Sequence, residues 1–537
     1  MKWISQWSSK PLLQVRVLPG AQKLEKLLFT DIIKIMVKTE GEFKNIPEII
    51  WQTAQKLEKA GFEAYLIGGC VRDIIIDRKP NDWDFTTNAT PEEIIALFEK
   101  TFYENAYGTV GVVNEEVTDE TLKVIEITPY RLEAEYSDNR RPDSVSFSKN
   151  LEDDLKRRDF TINAIGLHLH SFDKDTGNYK GHLVDLYKGQ EDLAKKVIRT
   201  VGLPEERFAE DGLRILRAVR IATDIGFKIE EKTKDAIIKF APLLEKIAKE
   251  RIREEFTKII MSNNPERGMN ACYKLGILKY IIPELEKTIS IEQGGAHIYD
   301  VWEHSLKSLQ CAADKKYSLE IRLAALLHDI GKPKSRRSGT NKEWSFYGHE
   351  VVGARLTEKI LNDLRYPKKV VEKTVKLVRW HMFFSDTELI SLSAVRRIIA
   401  QVGKDSIWDL MNVRICDRVG MGKEKEDPYR LRKYHAMIDE ATRDPITVGM
   451  LKLDGKQLME ILGEKPGPKI GFILHAMLED VLDDPKLNTE EYLTKRAREL
   501  VQMTEKELKK IGEEGKKKKE EENQVEIKEI RTKHKVK

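Results

Sequence analysis

Apolar positions in IPEIIWQTAQKLEKA (46–60) recur at the spacing of an amphipathic helix, and Gly61 follows as its stop. EAYLIGG (63–69) predicts a short strand entering a glycine turn. RKPNDWDFTT (78–87) predicts a turn into a second strand, and LKVIEIT (122–128) predicts a third. Between them, TPEEIIALFEK (90–100) opens a helix with Thr90 as N-cap, Pro91 at the first helical position and Glu93 completing a capping box. Strand and helix signals alternate until about Leu186 and the strand signal then disappears after about residue 190. Residues 205–290 read as successive helices, 296–440 as a histidine-rich helical block, and 445–503 as a last segment with Pro/Gly turns. No repeat of fixed period is visible.

The 537 residues exceed what one hydrophobic core holds, so several domains are expected. With 40% apolar and 34% charged residues, a wholly disordered chain is excluded. No apolar run approaches the roughly 20 residues of a membrane helix, so no membrane association is expected. Cys70, Cys272, Cys311 and Cys416 lie far apart without a CxxC pair, which argues against a disulfide framework and for a reducing, cytoplasmic setting. The net charge is only +4, and the tail 505–537 holds 12 Lys/Arg against 9 Asp/Glu, so the rest is almost neutral. Only local patches can attract nucleic acid. Residues 1–45 lack the apolar stretch of a secretory signal, and Met36 is an alternative start.

The first chemical signal is GGCVRDIIIDRKPNDWDFTT (68–87). On a strand, Asp82 and Asp84 put two carboxylates on one face, with Trp83 and Phe85 on the other. Hard oxygens so placed suit Mg²⁺, bound by one or two carboxylates plus substrate phosphates. Glu126 on another strand is a candidate third carboxylate. Gly68 and Gly69 let backbone N–H groups approach a triphosphate, and Arg72 can pair with its oxygens. A lone DxD is ordinarily a solvated turn; the glycine turn, arginine and DxD together point to chemistry.

This segment is followed in order by RRPDSVSF (140–147), LKRRDFTINAI (155–165) and EDGLRILRAVRIA (210–222). Over about residues 60–290 the chain resembles the class II tRNA nucleotidyltransferases, the bacterial CCA-adding enzymes and poly(A) polymerases of the DNA polymerase β superfamily. The resemblance implies that Asp82 and Asp84 bind the catalytic metals, and that Gly69 and Arg72 contact the nucleotide. It places Arg158, with Asp159 beside it, at the ribose and triphosphate. Phosphoryl transfer would use two metals about 3.5–4 Å apart, activating the RNA 3′-hydroxyl and neutralising the leaving pyrophosphate.

Asp211, Arg214, Arg217 and Arg220 stand three apart, so on a helix successive members share a face. Cytosine and adenine each present an amino donor beside a ring-nitrogen acceptor. Asp211 can accept from the first and Arg214 donate to the second, whereas uracil and guanine present the reverse pattern. In the resembled family these positions act as an amino-acid template, with Arg217 and Arg220 contacting the nucleotide. Residues 131–147 resemble the flexible loop of full CCA-adding enzymes.

Five of 11 histidines fall at 297–381. His304, adjacent His328 and Asp329 on an apolar helix, His349, His381 and Asp417 follow the H…HD…H…H…D order of the HD phosphohydrolase superfamily, which they resemble. Imidazole plus carboxylate suits Mn²⁺, Fe, Ni²⁺ or Co²⁺, and such a site could hydrolyse phosphomonoesters or cyclic phosphodiesters.

The expected protein is multi-domain α/β plus all-α. It has an extension (1–45), a mixed-sheet nucleotidyltransferase head (46–187), a nucleotide-reading neck (188–226) and an RNA-binding helical body (227–292). An HD domain (293–440), a tail domain (441–504) and a charged low-complexity tail (505–537) follow. It is expected to add C and A to tRNA from CTP and ATP without a nucleic-acid template; no protein partner can be inferred. The alternatives are an A-adding enzyme or poly(A) polymerase, or an HD phosphohydrolase with a degenerate RNA-binding front half. Intact Asp82, Asp84, Asp211 and Arg214 weigh against the last, and against a pure tRNA-binding chaperone.

Overall fold

A computed structural model describes residues 40–103, 108–133, 145–293, 298–338, 344–382, 390–422, 429–508 and 510. Met36, most of the loop expected at 131–147, with Arg140 and Arg141, and most of the charged tail lie outside them. The chain divides into two compact units, Met1–Glu255 with Lys274–Tyr280, and Phe256–Tyr273 with Ile281–Lys537.

The first unit is organised on an eight-stranded sheet. Its strands are β1 (Glu40–Phe43), β2 (Tyr65–Leu66), β3 (Asp84–Thr87), β4 (Thr101–Tyr103), β5 (Val110–Val113), β6 (Val124–Pro129), β9 (Ile165–Asp173) and β10 (Asn178–Asp185). A separate pair, β7 (Arg131–Glu133) and β8 (Val145–Phe147), flanks residues 134–144. The sheet order is β1-β10-β9-β2-β3-β6-β5-β4, with β3 and β6 parallel. Ile125 and Ile127 are fully buried while Glu126 between them is half-buried, the period-two alternation of a strand with one face in the core.

Helix α1 (Glu48–Lys59) buries Ile50, Ala54 and Leu57, the stripe read from the sequence. Helix α2 (Gly69–Ile75) leaves the glycine turn, where Gly68 has φ +82, a region that side chains rarely adopt. Helix α3 (Pro91–Leu97) carries the full Thr90–Glu93 capping box. The helices α4 (Leu151–Lys156), α5 (Pro204–Glu210), α6 (Leu213–Ile225) and the part of α7 (Lys249–Met261) up to Glu255 complete the frame used below.

Four expectations are corrected. Strand pairing persists beyond residue 190, as a short parallel pair, Val197–Ile198 with Lys228–Ile229, and a hairpin, Arg337–Ser338 with Trp344–Ser345. Two-residue strands are too short to leave an alternation in the sequence. The segment assigned to the extension ends in β1, paired with β10; edge pairing supplies the hydrogen bonds that EGEF does not advertise by propensity. Strand β3 begins at Asp84, so Asp82 precedes it. The helix read through EDGLRILRAVR is broken, with Asp211 extended (φ −141, ψ 106) between α5 and α6. Gly212 is the N-cap of α6, where a Cβ would lie 3.0 Å from Leu243 Cβ.

The second unit is helical. Its core includes α8 (Val301–Asp314), α9 (Leu319–Leu327), α10 (His349–Asp363), α11 (Lys368–Trp380) and α12 (Lys404–Gly420), joined by Leu309, Leu323, Leu326, Leu361, Leu377 and Leu410. Beyond them, α13 (Gly455–Leu462), α14 (Pro468–Asp483) and α15 (Glu490–Leu500) pack around Leu458, Met477 and Leu493. No described helix is long and apolar enough to cross a membrane.

Candidate active sites

In the first unit the glycine turn and the DxD segment converge. A Cβ at Gly68 would lie 3.4 Å from both Asp84 Oδ2 and Arg158 Nη1, and one at Gly69 would lie 3.6 Å from Asp82 Oδ1. The bare backbone therefore leaves a cradle rimmed by two carboxylates and a guanidinium. Asp84 and Glu126 are register partners in the parallel pair, so both stand on the face opposite Phe85 and Ile127. This all-oxygen donor set fits a hard divalent cation.

Around the cradle the arginines are held by neighbours. Arg72 is buried, with Nε 2.9 Å from Asp73 Oδ1 and Nη1 donating to Asn163 Oδ1 at 3.1 Å. Arg158 donates to Asp154 Oδ2 at 2.9 Å, and Arg157 shares that buried carboxylate. Burial would raise the Asp154 carboxyl, but the two guanidiniums outweigh it and hold it down to about 2. Asp159 is likewise held at about 2, with Arg217 foremost against the effect of burial. Cys70 donates to Ile67 O, and burial, reinforced by the Asp84 charge, pushes its thiol up to about 12.

At the helix break, Asp211 Oδ1 accepts from Leu213 N–H at 3.0 Å, and Oδ2 pairs with Arg251 Nη2 at 2.7 Å. Arg214 pairs with Glu210 at 2.5 Å and also reaches Arg157 O at 3.2 Å. Arg217 pairs with Asp159 at 2.7 Å, and Arg220 with Glu255 at 2.5 Å. Arg251 and Glu255 escaped the sequence reading; their four-residue spacing on α7 puts both on one helical face, a signal without meaning until its partner is known.

In the second unit all six predicted residues meet. His304 and Asp417 lie within α8 and α12, and His349 opens α10. His328 and Asp329, expected on a helix, instead cap and follow α9, just as His381 caps α11. The last-turn carbonyls lack intrahelical partners, and the imidazoles use them. His328 Nδ1 meets Ala325 O at 2.9 Å and His381 Nδ1 meets Val378 O at 2.7 Å, while His349 Nδ1 meets Phe346 O at 2.8 Å.

These bonds orient the Nε2 atoms inward. His349 and His381 Nε2 are 3.2 Å apart, and His304 and His328 Nε2 are 2.9 Å apart. In neutral rings donating from Nδ1, the facing Nε2 lone pairs of His349 and His381 repel unless a cation or proton lies near. The donor atoms form two groups, His304/His328/Asp417 and Asp329/His349/His381. Asp329 spans them, with Oδ2 3.3 Å from His304 Nε2 and Oδ1 3.2 Å from His349 Nε2. The donor set fits one or two transition-metal ions.

Burial pushes His381 well below the usual histidine range, and His328 and His349 add to it. Burial would lower His304 too, but Asp329 and Asp417 overcome it and raise it to about 9. Lys332, also missed, lies 2.6 Å from Asp329 Oδ2 and 2.5 Å from Gln293 Oε1. Its place three residues after Asp329 was the available signal.

Residues 64–199 match the Poly A polymerase head domain, 226–289 match the "Probable RNA and SrmB- binding site of polymerase A", and 301–429 match the HD domain. A CCA-adding enzyme of Leuconostoc mesenteroides is 40% identical, covering 83% of this chain and 94% of that protein. One from Ligilactobacillus salivarius is 31% identical, covering 87% and 99%. Among solved structures, the Bacillus stearothermophilus CCA-adding enzyme in complex with CTP superposes with TM-score 0.61 at 27% identity, over 84% of this chain and 96% of that one. An apo CCA-adding enzyme at 19% identity shares the fold, with TM-score 0.53. The glycine-turn carboxylates, the arginine-bearing helix and the histidine–aspartate cluster thus occur together in a chain that belongs to the CCA-adding enzyme family.

Proposed function

We propose that this protein adds C and A to the 3′ end of tRNA from CTP and ATP, in the cytoplasm, reading the incoming base with side chains. The observation that carries the reading is the cradle at Gly68, with Asp84 and Arg158 on either side and Asp82 at Gly69. Asp82 and Asp84 would hold Mg²⁺, with Glu126 beside them. Bound there, the metal would supply charge neutralisation and a more acidic 3′-hydroxyl. The chain's own work is positioning: backbone N–H groups at the turn and Arg158 take the triphosphate, and Arg72, held beside Gly69 by Asp73 and Asn163, contacts the nucleotide. Asp211 accepts from the base amino group and Arg214 donates to the ring nitrogen, with Asp159, Arg217 and Arg220, all ion-paired, also at the nucleotide. The free, buried cysteines accord with a reducing compartment.

The test is one set of incubations. The protein with Mg²⁺ is given tRNAs ending before CCA, after C, and after CC, with each triphosphate alone and mixed. Addition of CCA, CA and A respectively is expected. Addition of A alone to every substrate would favour a poly(A)-type activity.

A second activity rests on the facing Nε2 pair of His349 and His381. We infer that the cluster holds a transition metal and hydrolyses phosphate ends, with Asp329 linking its two halves.

A further inference from the structure

Three more imidazoles, used by neither site, gather on the sheet of the first unit. His168 and His170 stand two apart on β9, on the face opposite buried Leu167 and Leu169. His182 on β10 is the antiparallel register partner of His168. The ring centroids lie 5.0 Å (His168–His182), 5.7 Å (His170–His182) and 5.8 Å (His168–His170) apart.

A bulge completes the group. Lys180 pairs with Ser171 and Gly181 with Leu169, which leaves His170 as the extra residue. Bulges re-aim side chains in this way. The bulge depends on Gly181, where a Cβ would come within 2.3 Å of His168 O.

Two carboxylates flank the imidazoles. Glu58 Oε1, from α1, is 2.9 Å from His168 Nε2, and Glu40 Oε2, from β1, is 3.6 Å from His170 Nε2. His168 Nδ1 is buried without a hydrogen-bond partner, and Glu58 Oε1 has none besides the imidazole it faces. Buried polar atoms so left are a minority that needs a reason.

We propose that His168, His170 and His182, with Glu58 as fourth donor, form a zinc site separate from both clusters described above. One donor atom from each histidine lies within 4.8 Å of the others. A zinc tetrahedron with bonds of about 2.1 Å has edges of about 3.4 Å, so side-chain adjustment of roughly an ångström closes the site. Two histidines alternating on one strand and a third across the ladder give three nitrogens on one face. The bound ion would clip β9, β10 and α1 together. Glu40 and His170 also line a cavity of about 760 Å³ beside the group.

The test uses the full chain, stripped of metal, with the histidine–aspartate cluster disabled by His328→Ala and Asp329→Ala. Zn²⁺ alone is the probe, followed by metal analysis after equilibrium dialysis and by thermal unfolding. One equivalent should remain bound and raise the Tm. Adding His170→Ala and His182→Ala should remove that equivalent and the shift, while CTP incorporation persists as proof of folding. Co²⁺ should give a tetrahedral visible spectrum only when the three histidines are present. Where the combined variant fails to fold, His170→Ala alone, at an exposed position, serves. Equal Zn²⁺ binding with and without these histidines, or none in the cluster-disabled protein, overturns the proposal.

Discussion

Asp211 and Arg251 form an ion pair of 2.7 Å that ties the break before α6 to α7. Asp211 Oδ1 also accepts from the Leu213 N–H at the start of α6. Arg251 Nη1 also donates to Asp211 Oδ1 at 3.3 Å; a carboxylate has about four lone-pair positions, so these three bonds leave one for a base amino group. The pair thus holds the proposed reading carboxylate in a defined orientation.

Asp211→Ala should slow CTP and ATP incorporation by about 10- to 100-fold, the loss of one charge-assisted hydrogen bond of about 1.5–3 kcal/mol. UTP and GTP, whose carbonyls never bonded to it, should be spared, so selectivity falls. Arg251→Ala should act in the same direction and more weakly, because the Leu213 N–H bond to Asp211 remains. Kinetics with four triphosphates on a tRNA lacking CCA decide it. Equal losses for all four would mean that Asp211 only supports the fold.

Asp82→Ala and Asp84→Ala should each abolish C and A addition while leaving tRNA binding nearly intact, since that binding rests on phosphate contacts elsewhere. Turnover and filter binding on the same preparations separate the two effects. More than a few per cent residual turnover in either variant would remove that residue from the metal site.

His328→Ala or Asp329→Ala should leave nucleotide addition near wild type. Either should eliminate phosphate release, or opening of 2′,3′-cyclic phosphate ends, measured with Mn²⁺, Ni²⁺ or Co²⁺. A wild-type protein inactive with all of these and with Mg²⁺ would reduce the cluster to a structural role.

Asp154, held down to about 2 between Arg157 and Arg158, makes a stability contribution with a defined pH window. Its folded value lies below the unfolded one, so the contribution is complete above about pH 4 and is lost as pH falls towards 2. Asp154→Asn should destabilise the protein by about 1.5–3 kcal/mol at pH 7 and progressively less below pH 4. Urea unfolding at pH 7, 4 and 3 measures the difference; a constant difference would contradict it.

Substitutions at Arg140 and Arg141 should spare C addition and impair the switch to A, because they leave the Asp211 and Arg214 edge untouched. Product lengths on a denaturing gel report this directly. Equal loss of both nucleotides would place these arginines in general RNA or triphosphate binding.

The sequence alone determined the elements whose signals are local. The α1 stripe, the Thr90–Glu93 capping box, the glycine turn and the order of the histidine–aspartate motif need no distant partner to be read. The resemblance carried by these motifs also pointed to the family. Tertiary structure decided what depends on residues far apart in the chain. It broke the helix at Asp211 and supplied Arg251 and Glu255 from α7, and it added β1 to the sheet. It drew His168, His170 and His182 together through a bulge. It also turned four imidazoles and two carboxylates, spread over 114 positions from His304 to Asp417, into two adjoining donor groups. Local propensity acts over a few residues, whereas ion pairs, register and metal-ligand sets are fixed only when packing brings distant side chains within a few ångströms.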